Sequence, residues 1–101
     1  MRRHVTVIWD LEDDPHGNYV HIVVEHDVSQ DEVDDVVSET TNPTAESDSS
    51  GRPITFGWTR LDRYIAVVWE LVLDDPYTIK PVTAYEAPPP SERGRKKRKR
   101  R

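Results

Sequence analysis

Tyr64-Ile65-Ala66-Val67-Val68-Trp69-Glu70-Leu71-Val72-Leu73 is apolar or aromatic throughout except at Glu70, and no polar residue alternates through its first six positions. A run of this kind is a strand covered on both faces for much of its length, so it marks the centre of a sheet. Its two flanks supply neighbours. Upstream, Pro53 to Arg60 alternates as a strand and Leu61-Asp62 makes a tight connection into Arg63. Downstream, Asp74-Asp75-Pro76 closes the central strand and Tyr77 to Glu86 alternates again, with Pro81 suited to an edge or a bulge because it has no N–H to give a ladder. Three strands joined by such short turns predict an antiparallel meander.

Further toward the N-terminus the period changes. Ser29 and Glu32 have the Ser-x-x-Glu spacing of a capping box, and Val33, Val36 and Val37 follow at helical spacing, which predicts a helix over about Gln30 to Glu39. Asp31, Asp34, Asp35 and Glu39 lie on its other face, a solvated acidic surface or one that docks a basic partner. His4 to Trp9 is β-rich and reads as a first strand. Pro15 suits the first turn of a helix that runs to about Glu25, with Asp13 or Asp14 as its cap. Thr40 to Pro53 is turn-rich, with room for one short strand near Ala45 to Asp48 and a turn at Ser49-Ser50-Gly51. The predicted class is α+β: an N-terminal strand, two helices, then an antiparallel meander forming one sheet packed on the helices. Residues 1–87 form a single domain. Trp9, Trp58, Trp69 and Phe56 fall on predicted strands and fill a small core, with stacking of an exposed Trp58 on a base as the sharper alternative.

Charge divides the chain. Residues 1–91 hold six basic and eighteen acidic side chains, a net of −12, whereas residues 92–101 hold eight basic and one acidic, a net of +7. The body should repel polyanions. The tail, with Arg93, Arg95, Lys96, Lys97, Arg98, Lys99, Arg100 and Arg101, should attract RNA or another polyanion by releasing condensed counterions. Ala87-Pro88-Pro89-Pro90 reads as a stiff spacer before it, and the tail itself, lacking apolar residues, is expected to be disordered when free. Cysteine is absent, so disulfides and thiolate chemistry are excluded, and no apolar run approaches the roughly 18 residues that a membrane span needs. A cytoplasmic protein without membrane attachment is expected.

No cofactor motif is present: Gly-rich phosphate loops, paired carboxylates at glycosidase spacing and Ser/His/Asp arrangements are missing. A metal site is not expected either. His21 and His26, five residues apart, would lie roughly 140° from one another on a continuous α-helix, and the acidic pairs look like turns and solvated faces.

The order of elements, together with particular residues, resembles the BrnT family of small ribonuclease toxins, whose fold is similar to that of the RelE group. Ile8-Trp9-Asp10 ends the first strand as that family does. Asn18 fits its first helix, and Glu25-His26-Asp27-Val28-Ser29 stands where the family has Lys-His-Gly-Val and a cap. Arg52, Gly57, Arg63 before Tyr64 to Val68, and Val82-Thr83-Ala84-Tyr85 match later positions. The likeness covers about Val5 to Glu86. This chain departs in a first helix one turn longer, in Asp27 for Gly at the helix end, where Asp tolerates a left-handed cap better than most residues at some cost, and in Tyr85 for a family Arg suited to phosphate. The resemblance implies metal-independent acid/base ribonucleolysis by His26, Arg52, Arg63, Tyr85 and Glu86, and an antitoxin-like protein partner. The alternative is a non-enzymatic interaction module with a toxin-like fold, in which Arg63 follows a turn, Arg52 pairs with a surface carboxylate, the acidic helix docks a basic partner and the tail engages nucleic acid or ribosomes. In a third arrangement the tail folds back on its own acidic body.

Overall fold

The computed structural model describes residues 1–90. Its elements are β1 (Thr6–Val7), a π-helical segment (Val20–Glu25), α1 (Gln30–Ser38), β2 (Thr44–Glu46), β3 (Pro53–Trp58), β4 (Tyr64–Leu73) and β5 (Thr78–Glu86). They build one mixed sheet of order β1-β5-β4-β3-β2. The run that opened the sequence reading is its central strand: β4 pairs antiparallel with β3 on one side and β5 on the other. Ile65, Val67 and Trp69 point to one face, Ala66 and Val68 to the other, and all five are buried. β3, β4 and β5 form the expected meander, β2 is the short strand for which Ala45 to Asp48 left room, and α1 and β3 to β5 begin and end within about two residues of their predicted bounds. Among the described residues no helix is long and apolar enough to cross a membrane.

One face of the sheet carries the larger core. Val28, Val33, Val36 and Val37 from α1 and its approach, and Ile22 from the π-helical segment, pack on Ile65, Val67, Trp69, Ile79 and Ala84, with Trp9 partly buried against them. Trp69 also donates its indole N–H to Thr55 Oγ1 at 2.9 Å, which satisfies the polar end of a buried ring. α1 starts at the predicted capping box: Ser29 Oγ accepts from the Glu32 N–H at 3.1 Å, and Glu32 Oε1 accepts from the Ser29 N–H at 3.2 Å.

The N-terminal strand is much shorter than the predicted His4 to Trp9, and Pro81 accounts for where it stops. β1 runs parallel to β5, with Thr6 opposite Thr78 and Val7 opposite Ile79. Its ladder includes Thr6 N–H to Tyr77 O and Ile8 N–H to Ile79 O, both at 2.9 Å. The next donor on β5 would be residue 81, which is proline and has none. The Asn18 side chain fills the gap. Its Nδ2 donates to Ile8 O at 3.1 Å and to Pro81 O at 2.8 Å, while its Oδ1 accepts the Asp10 N–H at 2.8 Å. An amide side chain thus replaces a stretch of strand. Pro81 also flanks the bulge expected of it: Val68 pairs with Thr83 but Trp69 with Pro81, leaving Val82 as the extra residue.

The first helix likewise differs from the predicted Pro15 to Glu25. Asp14 Oδ1 accepts from the His16 N–H at 3.0 Å and shapes a turn instead of capping a helix; no side chain caps the π-helical segment at Tyr19, and Asp10 Oδ2 accepts the Asn18 N–H at 2.8 Å just before it. The following turn is wound wide, with His26 N–H to His21 O at 3.2 Å, an i to i−5 bond. Asp27 then takes the left-handed conformation, φ +58°, and ends the segment.

Candidate functional site

The structure divides the five residues singled out for chemistry: Arg63 reaches Glu86 and the Asp27 carbonyl next to His26, whereas Arg52 lies apart and Tyr85 faces the other side of the sheet. Arg63 and Glu86 are neighbours, with Nη2 to Oε1 at 3.6 Å. Arg63 Nη1 donates to Asp27 O and to Glu32 Oε1, each at 2.9 Å. Glu32 is only 1 % exposed and also accepts the Thr59 hydroxyl at 2.9 Å. Arg63 is therefore the counter-ion of a buried carboxylate. Arg52 lies at the other end of the β3–β4 pair, about 20 Å of strand away, where its Nε donates to Glu70 Oε2 at 2.7 Å. That surface pair is the plain arrangement considered for it above. Tyr85 pairs with Ala66 and Glu86 with Ile65, so the two point to opposite faces of the sheet. His26 sits at the end of the π-helical segment, its ring 4.5 Å from that of His21. The 140° separation expected for these rings assumed an α-helix, and the wider π turn brings them together. The tail residues Arg93 to Arg101 lie outside the described residues.

A groove of about 590 Å³ opens at the β5 edge, and none of these five residues lines it. Its walls include Asp10, His16, His21, Glu25, Glu70 and Lys80, none of them a residue to which the sequence assigned chemistry. Only the i, i+4 spacing of His21 and Glu25 could have signalled it. His21 holds Glu25 Oε1 through Nδ1 at 3.1 Å and Thr83 Oγ1 through Nε2 at 2.9 Å, so both ring nitrogens are engaged. Lys80 Nζ is 3.2 Å from Asp10 Oδ1, and Glu70 is held by Arg52. The Asp10 carboxyl is lowered below its usual range by the Asn18 N–H and then by Lys80. These charges answer one another within the groove. No three potential metal ligands converge among the described residues.

α1 also departs from its expected solvated acidic face. Asp35 is buried, and Arg60 grips it with Nη2 to Oδ1 at 2.7 Å and Nε to Oδ2 at 3.0 Å. Burial is the largest influence on this carboxyl and pushes it upward, but the Arg60 side-chain and backbone bonds together outweigh it and leave it lowered. Two of the helix's carboxylates are thus internal fasteners to the β3–β4 turn.

The second face of the sheet holds the other feature. Phe56, Ala66 and Tyr85 form one row across three strands, and Trp58, Tyr64 and Ala87 the next. The Phe56 and Tyr64 rings are nearly parallel, 14° between planes with centroids 6.3 Å apart, and Trp58 lies 5.2 Å from Tyr64. Burial raises the Tyr64 hydroxyl above its usual range. Ile54, Ala66 and Val68 form a small buried cluster beneath, to which the helical segments add nothing. Phe56 packs against that cluster, in keeping with its expected core role but on this second face and partly exposed, and Trp58, also partly exposed, stands in the next row. No family model, curated protein or solved structure matches the chain.

Proposed function

We propose that this chain is a divergent BrnT-like protein that binds RNA without cleaving it, with the C-terminal tail as its nonspecific electrostatic anchor. The observation that carries this reading is the dispersal of the cations. Acid/base cleavage of RNA needs a base, an acid and fixed positive charge converging on one phosphate. Here Arg52 and Arg63 stand at opposite ends of a strand pair, one bonded to Glu70 and the other to the buried Glu32. Tyr85 and Glu86 face opposite sides. What remains for phosphate is the tail, with a net charge of +7 on residues 92–101 against −12 on the rest. Docking of a basic or antitoxin-like protein on α1 draws less support, because its acidic face already meets cations of this chain: Arg60 at Asp31 and Asp35, Arg2 at Asp34 and the N-terminus at Glu39.

The test is RNA binding by fluorescence anisotropy over a salt series, for the full chain and for one ending at Pro90. For a single strand the logarithm of affinity should fall with the logarithm of salt by about 0.7 per neutralised phosphate. Most of that slope should vanish with the tail. Equal affinity of the shortened chain would remove the anchor, and cleavage products that disappear in an Arg52→Ala, Arg63→Ala double variant still folded by tryptophan fluorescence would restore the enzyme.

A further inference from the structure

We infer that the second face of the sheet is a base-stacking surface for single-stranded polynucleotide, with Tyr85, Phe56 and Tyr64 offering their rings to unpaired bases; this rests on the RNA-binding function proposed above. The register puts these side chains on one face in two rows, which strand geometry sets about 7 Å apart. Tyr85 is 37 % exposed, and Phe56, Trp58 and Tyr64 are partly exposed. Every base has a π-face, so such rings bind unpaired bases with little regard to sequence, and an open sheet face with a few aromatic residues accommodates two or three of them.

The occupant follows from where the chain leads. Ala87 lies on this same face: its N–H bonds Tyr64 O at 2.8 Å, and it packs against the cluster under the rings. The eleven residues 91–101, with eight of the chain's fourteen Lys and Arg, therefore begin four residues after Ala87. At about 3.3 Å per residue an extended chain of this length spans the three strands several times over. Cations for the phosphates are thus tethered by a short link to the face that carries rings for the bases. A second copy of the chain is the poorer occupant, because face-to-face pairing would bring two bodies of charge −12 together.

Geometry also predicts selectivity. A duplex keeps its bases stacked on one another and offers only phosphate to this protein, whereas a single strand offers both. The tail alone cannot draw that distinction sharply.

The experiment measures binding of a short single-stranded RNA, its DNA counterpart and the matching RNA duplex to the full chain, to Tyr85→Leu, to Tyr85→Phe and to a chain ending at Pro90. Tyr85→Leu should weaken single-strand binding about 5- to 100-fold, leave duplex binding and the salt slope as they were, and be rescued by Tyr85→Phe, which keeps the ring. The same loss with the DNA strand assigns the face to unpaired bases in general, and a loss confined to RNA assigns it to RNA. The stacking surface is overturned if Tyr85→Leu stays within about twofold of the parent on single strands; a truncated chain that then fails to bind would leave the tail's function standing. If the full chain binds no RNA, both readings fail. Self-association abolished by Tyr85→Leu in the absence of RNA would give the face to a second copy and overturn the inference.

Discussion

Removing the Arg63 guanidinium should damage the fold far more than removing Arg52, although sequence reading gave both the same role. Glu32 is 1 % exposed and Arg63 Nη1 lies 2.9 Å from its Oε1, so Arg63→Ala strands a buried carboxylate. Breaking one partner out of such a pair costs about 3–5 kcal/mol. Glu32 keeps the Thr59 hydroxyl and the Ser29 N–H, which places the cost near the lower end, about 3 kcal/mol. Arg52 and Glu70 are 41 % and 44 % exposed, and a surface pair of that kind contributes about 0–1 kcal/mol. A domain of this size has about 5–13 kcal/mol of stability in all, and its urea slope is about 1 kcal/mol per molar. The midpoint of urea unfolding, followed by tryptophan fluorescence, should therefore drop by about 2–3 M for Arg63→Ala and by less than about 1 M for Arg52→Ala. Adding Glu32→Gln to Arg63→Ala removes the stranded charge and should recover part of the loss. Equal midpoints for the two arginine variants would refute the assignment of Arg63 as a structural counter-ion.

Asn18→Ala should cost about 2–4 kcal/mol, because it leaves the Asp10 N–H and the Ile8 and Pro81 carbonyls without their partner. Asn18→Asp should be worse, since it points a carboxylate at two carbonyl oxygens; urea unfolding checks both, and a neutral Asn18→Ala would mean that β1 is held by other means. For pH, Asp35 sits below its ordinary value of 3.8 in the folded chain. A depressed carboxylate contributes stability that is complete above its unfolded value and is lost as pH falls through its folded one. The melting temperature should thus hold from neutrality to about pH 5 and fall below it, with Asp35→Asn lowering the neutral value and flattening the acid limb. An unchanged acid limb in that variant would show that the Arg60–Asp35 bond does not drive acid unfolding.

Much of the fold was legible locally. The unbroken apolar run from Tyr64 identified the central strand because a buried strand must be apolar on both faces, and Ser29 with Glu32 marked a helix start because orphaned N–H groups need a nearby acceptor. Pro81 announced its bulge by lacking a donor. These are properties of a residue and its immediate neighbours, and the opposed charges of body and tail belong with them.

Other features exist only once distant segments meet. Asn18 replaces a strand because Pro81, 63 residues away, withholds an N–H. Asp35 leaves the solvated face for which its spacing suits it, and the capping-box residue Glu32 gains a counter-ion, because the turn after β3 brings Arg60 and Arg63 to them. Arg52 and Arg63, near in sequence, are parted by the length of the strand between them, and Phe56, Tyr64 and Tyr85 come to share a face only when three strands fall into register. Spacing along a chain fixes angles within one element; which charges and rings confront each other depends on pairing between elements, and that is set by packing the whole domain.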